Sequence, residues 1–352
     1  MNPDLQLTLA ALEAEQTPIT RTLLLNLCSL SRADSRSFAA TLARLSPQRR
    51  SEILRAMAVY AEESFEADFD AIYCELLTHQ DPVARGYAVD GLWENESVRV
   101  LDALLRMLAA EQDVTVRAKV AAALGHFVFM AEGDELDQAR ATALRQGLET
   151  ALESAREDIE VQRRALESLA YINDDAIRRM IDRAYTHADA RMRESALYAM
   201  GRSADDFWTE NVLAELGSKT LAMVQQAVRA SGEIRLKRAV PLLIELLAEP
   251  DLEMQKGIVW ALGQIGTRPA VRALEALLEN ETEELSEAID EALSEAQLGE
   301  VELDLLVHSY ADAEADAGTD REPAADDADD ADDGDGDDEP EGEWPDNYLD
   351  LN

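Results

Sequence analysis

Six stretches of the chain share one arrangement of apolar and polar positions. They begin at Asp81 (DPVARGYAVDGL), Asp113 (DVTVRAKVAAALG), Asp158 (DIEVQRRALESLA), Asp189 (DARMRESALYAMG), Thr220 (TLAMVQQAVRASG) and Asp251 (DLEMQKGIVWALG). Successive starts lie 32, 45, 31, 31 and 31 residues apart. With the start as position 1, position 4 carries Val116, Val161, Met192, Met223 and Met254, and position 8 carries Ala88, Val120, Ala165, Ala196, Ala227 and Ile258. Position 9 (Val89, Leu166, Leu197, Val228, Val259) and position 12 (Leu92, Leu124, Leu169, Met200, Leu262) complete the set. These positions share one face of a 3.6-residue helix, so each stretch predicts an amphipathic helix with a buried stripe. Position 13 is Gly125, Gly201, Gly232 and Gly263, which predicts left-handed glycine caps. A second helical pattern follows in each unit, as at Val98 to Ala109, Asp175 to Ala184, Ala239 to Ala248 and Ala270 to Leu278. Every unit is therefore a helix pair. One pair cannot cover its own apolar face, whereas stacked pairs bury a continuous core.

The flanks follow other patterns. Residues 1–46 read as a helical cap, with helix starts at Thr17-Pro18 and Ser46-Pro47 and an apolar strip of Leu23, Leu24, Leu25 and Leu27. A degenerate first unit is expected from Pro47 to Gln80, and Leu285, Ile289 and Leu293 predict a last amphipathic helix reaching about Gln297. The repeat array thus spans 47–297 and the tail 298–352. From Ala311 onward 19 residues are acidic and only Arg321 is basic. The run DDADDADDGDGDD cannot bury enough apolar surface to offset the entropy of ordering, so the tail is expected to be disordered. Its end, WPDNYLDLN, regains large hydrophobes at Trp344, Tyr348, Leu349 and Leu351 and is a candidate docking motif.

Charge narrows the function. Lys and Arg number 32 against 73 Asp and Glu, for a formal charge of −41. A surface of that sign repels nucleic-acid phosphates and anionic lipid, so neither is an expected partner; one or more proteins, basic ones above all, fit better. The N-terminus has no basic start followed by a long apolar run, and no apolar run long enough to span a membrane is evident. Cys28 and Cys74 are too few for a disulfide framework or zinc site and suit a reducing, cytoplasmic setting.

The unit Asp251 to Leu278 and the one opening DVTVRAKVAAALG resemble HEAT-like repeats of the short kind named after phycobilisome lyases, with their acidic start, Val-Arg step and Ala-Leu-Gly end. The resemblance covers roughly residues 81 to 280. It implies an all-α, right-handed α-solenoid of stacked HEAT-like helix pairs, here followed by the acidic tail. It also implies a ladder between neighbours built on Asp81/Arg85, Asp113/Arg117 and Asp189/Arg193, interrupted where Gln162, Val224 and Gln255 replace the arginine. Enzymes of similar fold leave a residue test. The iron site of deoxyhypusine hydroxylase uses paired His-Glu steps, and here Gln80, Phe127, Ala188 and Ser309 follow the four histidines. His79 and His187, two residues before Asp81 and Asp189, are expected as cations at helix C-termini. A glycosylase groove would need to be basic. No phosphate-cradling loop, nucleophile elbow or HExxH occurs. No catalytic residue, metal site or cofactor is implied.

Three features are candidates for partner binding. The long unit carries extra residues around His126 to Arg140, including the apolar Phe127, Phe129 and Met130. Basic residues gather on and near the second helices: Arg178, Arg179, Arg183, Lys237, Arg238, Arg268 and Arg272, on a face expected to be concave. The third is the terminal segment, which could also contact its own solenoid. The whole reads as a non-catalytic interaction scaffold or adaptor; the alternative is a bilin lyase-like or other cofactor-handling enzyme subunit.

Overall fold

A polar residue opens most of the helices because it satisfies the backbone N–H groups that the first turn leaves unpaired. In the computed structural model, which describes residues 3–248, 251–278 and 285–297, the side chains of Asp81, Asp113, Asp158, Asp189 and Asp251 accept from the N–H of Val83, Val116, Glu160, Arg191 and Met254. The chain begins with α1 (Pro3–Glu13), α2 (Arg21–Leu25) and α3 (Arg32–Arg44). Ser46 caps the next helix with Pro47 in its first turn, as the sequence indicates, but α2 is capped by Thr20 rather than started at Thr17-Pro18. Pairs then follow: α4 (Pro47–Glu63) with α5 (Asp70–Leu76), α6 (Pro82–Gly91) with α7 (Val98–Ala110), and α8 (Val114–Glu132) with α9 (Gln138–Glu153). Next come α10 (Ile159–Leu169) with α11 (Asp175–Tyr185), α12 (Ala190–Arg202) with α13 (Thr209–Glu215), and α14 (Leu221–Glu233) with α15 (Val240–Leu246). The last pair is α16 (Leu252–Ile265) with α17 (Arg268–Leu278), and α18 covers residues 285–297. Among the described residues there is no strand; the protein is an all-α solenoid. Its first compact unit is Met1–Val301. The acidic tail and its terminal segment, with Trp344, Tyr348, Leu349 and Leu351, lie outside the described residues.

The two layers of the stack are unequal. The first helices pack against one another in an unbroken series from α4 through α6, α8, α10, α12 and α14 to α16, while each second helix from α5 to α15 lies against the first helix that follows it. The repeated glycines explain the close first layer. A Cβ on Gly201 would stand 2.7 Å from Ala230 Cα, on Gly232 3.0 Å from Ala261 Cα and on Gly263 2.8 Å from Ala292 Cα. These glycines sit inside their helices, so the expectation of left-handed caps at position 13 does not hold. Position 13 faces the neighbouring backbone, and absence of a side chain rather than conformational freedom is what it supplies. The left-handed turn comes three residues later, at Ala204 (φ 48°), Arg235 (φ 54°) and Gly266 (φ 59°). The first helices therefore form the closely packed layer of the stack.

The ladder between units also differs from expectation. Arg85 grips Glu111 through two bonds of 2.6 and 2.7 Å, Arg117 grips Glu157, and Arg50 reaches Asp81 at 2.6 Å. The arginine therefore pairs with the acid at the next unit's entrance, and its own unit's aspartate serves as the cap. The series stops where Gln162 and Gln255 bond backbone carbonyls instead. The extra residues of the long unit lengthen its helix pair. Phe127 and Met130 are buried and available to no partner, which corrects their reading as contact residues; Phe129 is 59% exposed. By length and composition α8 could cross a membrane, but half of it is buried in the stack.

Candidate functional site

Positions 10 and 14 of each unit lie about one turn apart on the first helix or just past its end, and none of their residues is buried. Down the stack, position 10 is Asp90, Ala122, Glu167, Tyr198, Arg229 and Trp260, and position 14 is Glu94, His126, Tyr171, Arg202, Glu233 and Gln264. Their side chains meet across unit boundaries. Lys119 pairs with Asp90, and Ser195 joins Arg163 (2.8 Å) to Glu167 (2.6 Å). Phe129 meets Tyr171 edge-on, ring centres 5.5 Å apart. Arg202 donates to the hydroxyls of both Tyr171 (2.6 Å) and Tyr198. Arg229 also stacks on Tyr198, its guanidinium carbon 4.1 Å from the ring centre, and bonds Glu233 at 2.9 Å. Trp260, 41% exposed, covers Gly232, where a Cβ would meet its ring at 2.6 Å.

The electrostatics of this strip centre on Arg202. Burial opposes its charge, but the two tyrosine oxygens and the nearby Glu233 outweigh that and raise its pKa. Its Nε and the Oε2 of Glu233 are buried without a bond partner. Arg229 thus bonds the Glu233 carboxylate while Arg202 feels its charge without bonding it, in a protein whose net charge is strongly negative. The strip can stack against flat or apolar groups and donate hydrogen bonds to oxygen. Nothing in it resembles a nucleophile with its base.

Apart from Phe129, the sequence candidates among the described residues lie elsewhere. Arg178 on α11 is held by Asp205 at 2.6 Å and Asp175 at 3.2 Å, and lies over the Phe207 ring. Arg183 meets Glu153 at 3.1 Å, and Arg238 meets Glu210. Arg179 and Lys237 are exposed with no ion pair among the described residues. Arg183 also lines a cleft of about 410 Å³ with Met180, His187 and Met192, and Arg268 and Arg272 line another of about 420 Å³ with Val271 and Ala296. This second-helix surface is mixed in charge. His79 departs from expectation too. It is buried, and its Nδ1 accepts from the Asp81 N–H at 3.1 Å. Burial, then the charge of Arg50, lowers its pKa, so it acts as a neutral acceptor rather than a helix-end cation. Burial pushes the Cys28 and Cys74 thiols up. Among the described residues no three His, Cys, Asp or Glu groups are placed to hold a metal.

Comparison with known proteins fits the helix pairs. Residues 209–294 match the family of HEAT repeats. The chain is a HEAT-like repeat protein. A stretch of 75 residues is 41% identical to bilin biosynthesis protein PecE of Mastigocladus laminosus, which is 21% of this chain and 28% of that protein's length. Similar solved structures include the complex of CpcE and CpcF of phycocyanin lyase from Nostoc sp. PCC7120 (TM-score 0.42, 19% identity, 64% of this chain and 94% of that one). A designed armadillo repeat protein has TM-score 0.35 and 18% identity over 56% of this chain and 99% of its own. Human deoxyhypusine hydroxylase has TM-score 0.33 and 15% identity, covering 76% and 96%.

In this HEAT-like repeat protein the strip left a trace that the sequence reading passed over. Positions 4, 8, 9 and 12 keep one residue class down the stack, whereas positions 10 and 14 change from acid to aromatic to arginine. Positions that pack are held to one class by their neighbours, and positions that face outward are free to serve a ligand.

Proposed function

We propose that this HEAT-like repeat protein is a non-catalytic scaffold that holds a partner protein along the exposed face of its first helices. The strip from Phe129 through Tyr171, Arg202, Tyr198 and Arg229 to Trp260 carries the reading. Tyr, Trp and Arg dominate the energetics of protein interfaces, and here the rings and guanidiniums already brace one another, so less side-chain freedom is lost on binding. The acidic segment 311–352 serves as an arm that attracts basic partners, and the charge of the chain keeps nucleic acid and membrane surfaces away. Its two unpaired cysteines fit work in the cytoplasm. The test is affinity capture from the source cell with wild-type protein and a Tyr198→Ala/Arg229→Ala/Trp260→Ala variant, checked for unchanged helicity. A discrete protein retained by the first and lost by the second is expected; identical retention by both would remove the strip from the account.

The likeness to PecE favours a second reading, a subunit that handles a bilin. Adding free bilin to the purified protein separates the two. A shifted and intensified visible absorption band supports bilin handling, and an unchanged spectrum supports the scaffold.

A further inference from the structure

The chemistry of the partner can be read from the protons around Arg202. Its Nη1 donates to the Tyr171 hydroxyl and its Nη2 to the Tyr198 hydroxyl, so each phenol oxygen is used as an acceptor. A phenol that accepts one bond still owns an O–H to donate, and among the described residues no acceptor takes either proton. Two O–H donors from successive units, Tyr171 just past the end of α10 and Tyr198 on α12, are thus fixed by one guanidinium, whose positive charge polarises both. A donor pair backed by a cation is the complement of an oxyanion.

The surroundings select which oxyanion. Phe129 stands beyond Tyr171 and Trp260 beyond Arg229, both substantially exposed, so apolar contact is available on each side of the donor pair. Glu167 and Glu233 lie on the same face, and the chain as a whole carries −41. A run of acids or a doubly charged phosphate would meet repulsion there, whereas a single carboxylate between apolar residues gains the clamp with little of that cost.

We propose that Tyr171, Arg202 and Tyr198 form a clamp for one Asp or Glu side chain of a partner peptide whose flanking apolar residues rest on Phe129 and Trp260. The clamp rests on the reading of the first-helix face as the docking surface, and it adds what that face recognises. Arg202 acts through the two hydroxyls as well as by its charge, and the rings supply the walls.

Fluorescence anisotropy of labelled Leu-Trp-Asp-Trp-Leu, and of the same peptide with Asn for Asp, added to the full chain tests this. The wild type should bind the Asp peptide at least tenfold more tightly than the Asn peptide. Tyr171→Phe/Tyr198→Phe keeps both rings and should erase the difference while leaving Asn-peptide binding in place, which also reports an intact face. Trp260→Ala should weaken both peptides. Equal binding of the two peptides by the wild type, with both weakened by Trp260→Ala, overturns the clamp and leaves the docking face standing. Failure of the wild type to bind either peptide overturns the clamp.

Discussion

Gly201 and Ala230 are in closest approach between two units: a Cβ on Gly201 would stand 2.7 Å from Ala230 Cα and 2.9 Å from its Cβ. The same relation recurs between Gly232 and Ala261 and between Gly263 and Ala292, so the close packing of the first helices is set by repeated absence of side chain. Gly201→Val or Gly263→Val must push successive helices apart. Each should destabilise the protein by about 3 kcal/mol, the upper range for overpacking. Gly257, inside α16 with no atom nearer than 3.8 Å to a new Cβ, is the control. Gly257→Ala should stabilise by about 0.5–1 kcal/mol, because a mid-helix glycine carries an entropic cost. Urea unfolding of the four proteins checks both signs.

The turns after α12 and α14 put side chains where backbone conformation favours none. Ala204 and Arg235 have φ of 48° and 54°, and Gly266 holds the corresponding place after α16. Ala204→Gly and Arg235→Gly should each stabilise by about 1 kcal/mol. Raised urea midpoints at unchanged slope would show it.

The inter-unit arginines should act as staples at the N-terminal end of the array only. The carboxylate of Glu111 is 6% exposed, and the bidentate bond from Arg85 holds it below the usual carboxylate range despite burial. Arg85→Met strands that charge and should cost roughly 3 kcal/mol. Because the folded pKa of Glu111 is depressed, the stability it contributes is present above its ordinary value of 4.5 and is lost as pH falls through the folded one. The variant should therefore lose less stability than the wild type on acidification below pH 4.5, measured by urea midpoints in an acid series.

His79 gives a second, separate pH window. Its folded pKa lies below the ordinary 6.5, so the unfolded chain takes up the proton first. Stability from the neutral ring is complete above pH 6.5 and declines as pH falls from there through the folded value. His79→Gln keeps an acceptor for the Asp81 N–H and should show a shallower fall in melting temperature between about pH 7 and pH 5 than the wild type does.

The helix pairs were legible because packing imposes one residue class per position, and a class repeated at 31-residue intervals is visible without coordinates. The buried stripe at positions 4, 8, 9 and 12 is the core of the structure, with Val161, Ala196, Leu197 and Leu262 at 0% exposure. What the pattern did not carry was the reason behind a residue. A glycine at position 13 reads as a cap from one helix alone, and only the neighbouring helix reveals the close approach at Ala230. Asp81 with Arg85 reads as a pair within a unit, but the better partner, Glu111, sits 26 residues away across a boundary. The basic second-helix residues drew attention by charge, yet Asp205 and Glu153, which pair with Arg178 and Arg183, are distant in sequence. Tyr171, Tyr198 and Arg202 were passed over because no single unit contains the cluster.

The central claim, that partners are held on the first-helix face, is tested most directly by photo-crosslinking in the source cell. A photoreactive residue replaces Gln225, exposed on α14, a first helix, or Arg179, exposed on α11, a second helix. Docking on the first helices predicts a discrete protein adduct from position 225 that disappears with Trp260→Ala, and none of that mass from position 179. The same adduct formed from position 179 and absent from position 225 would contradict the account.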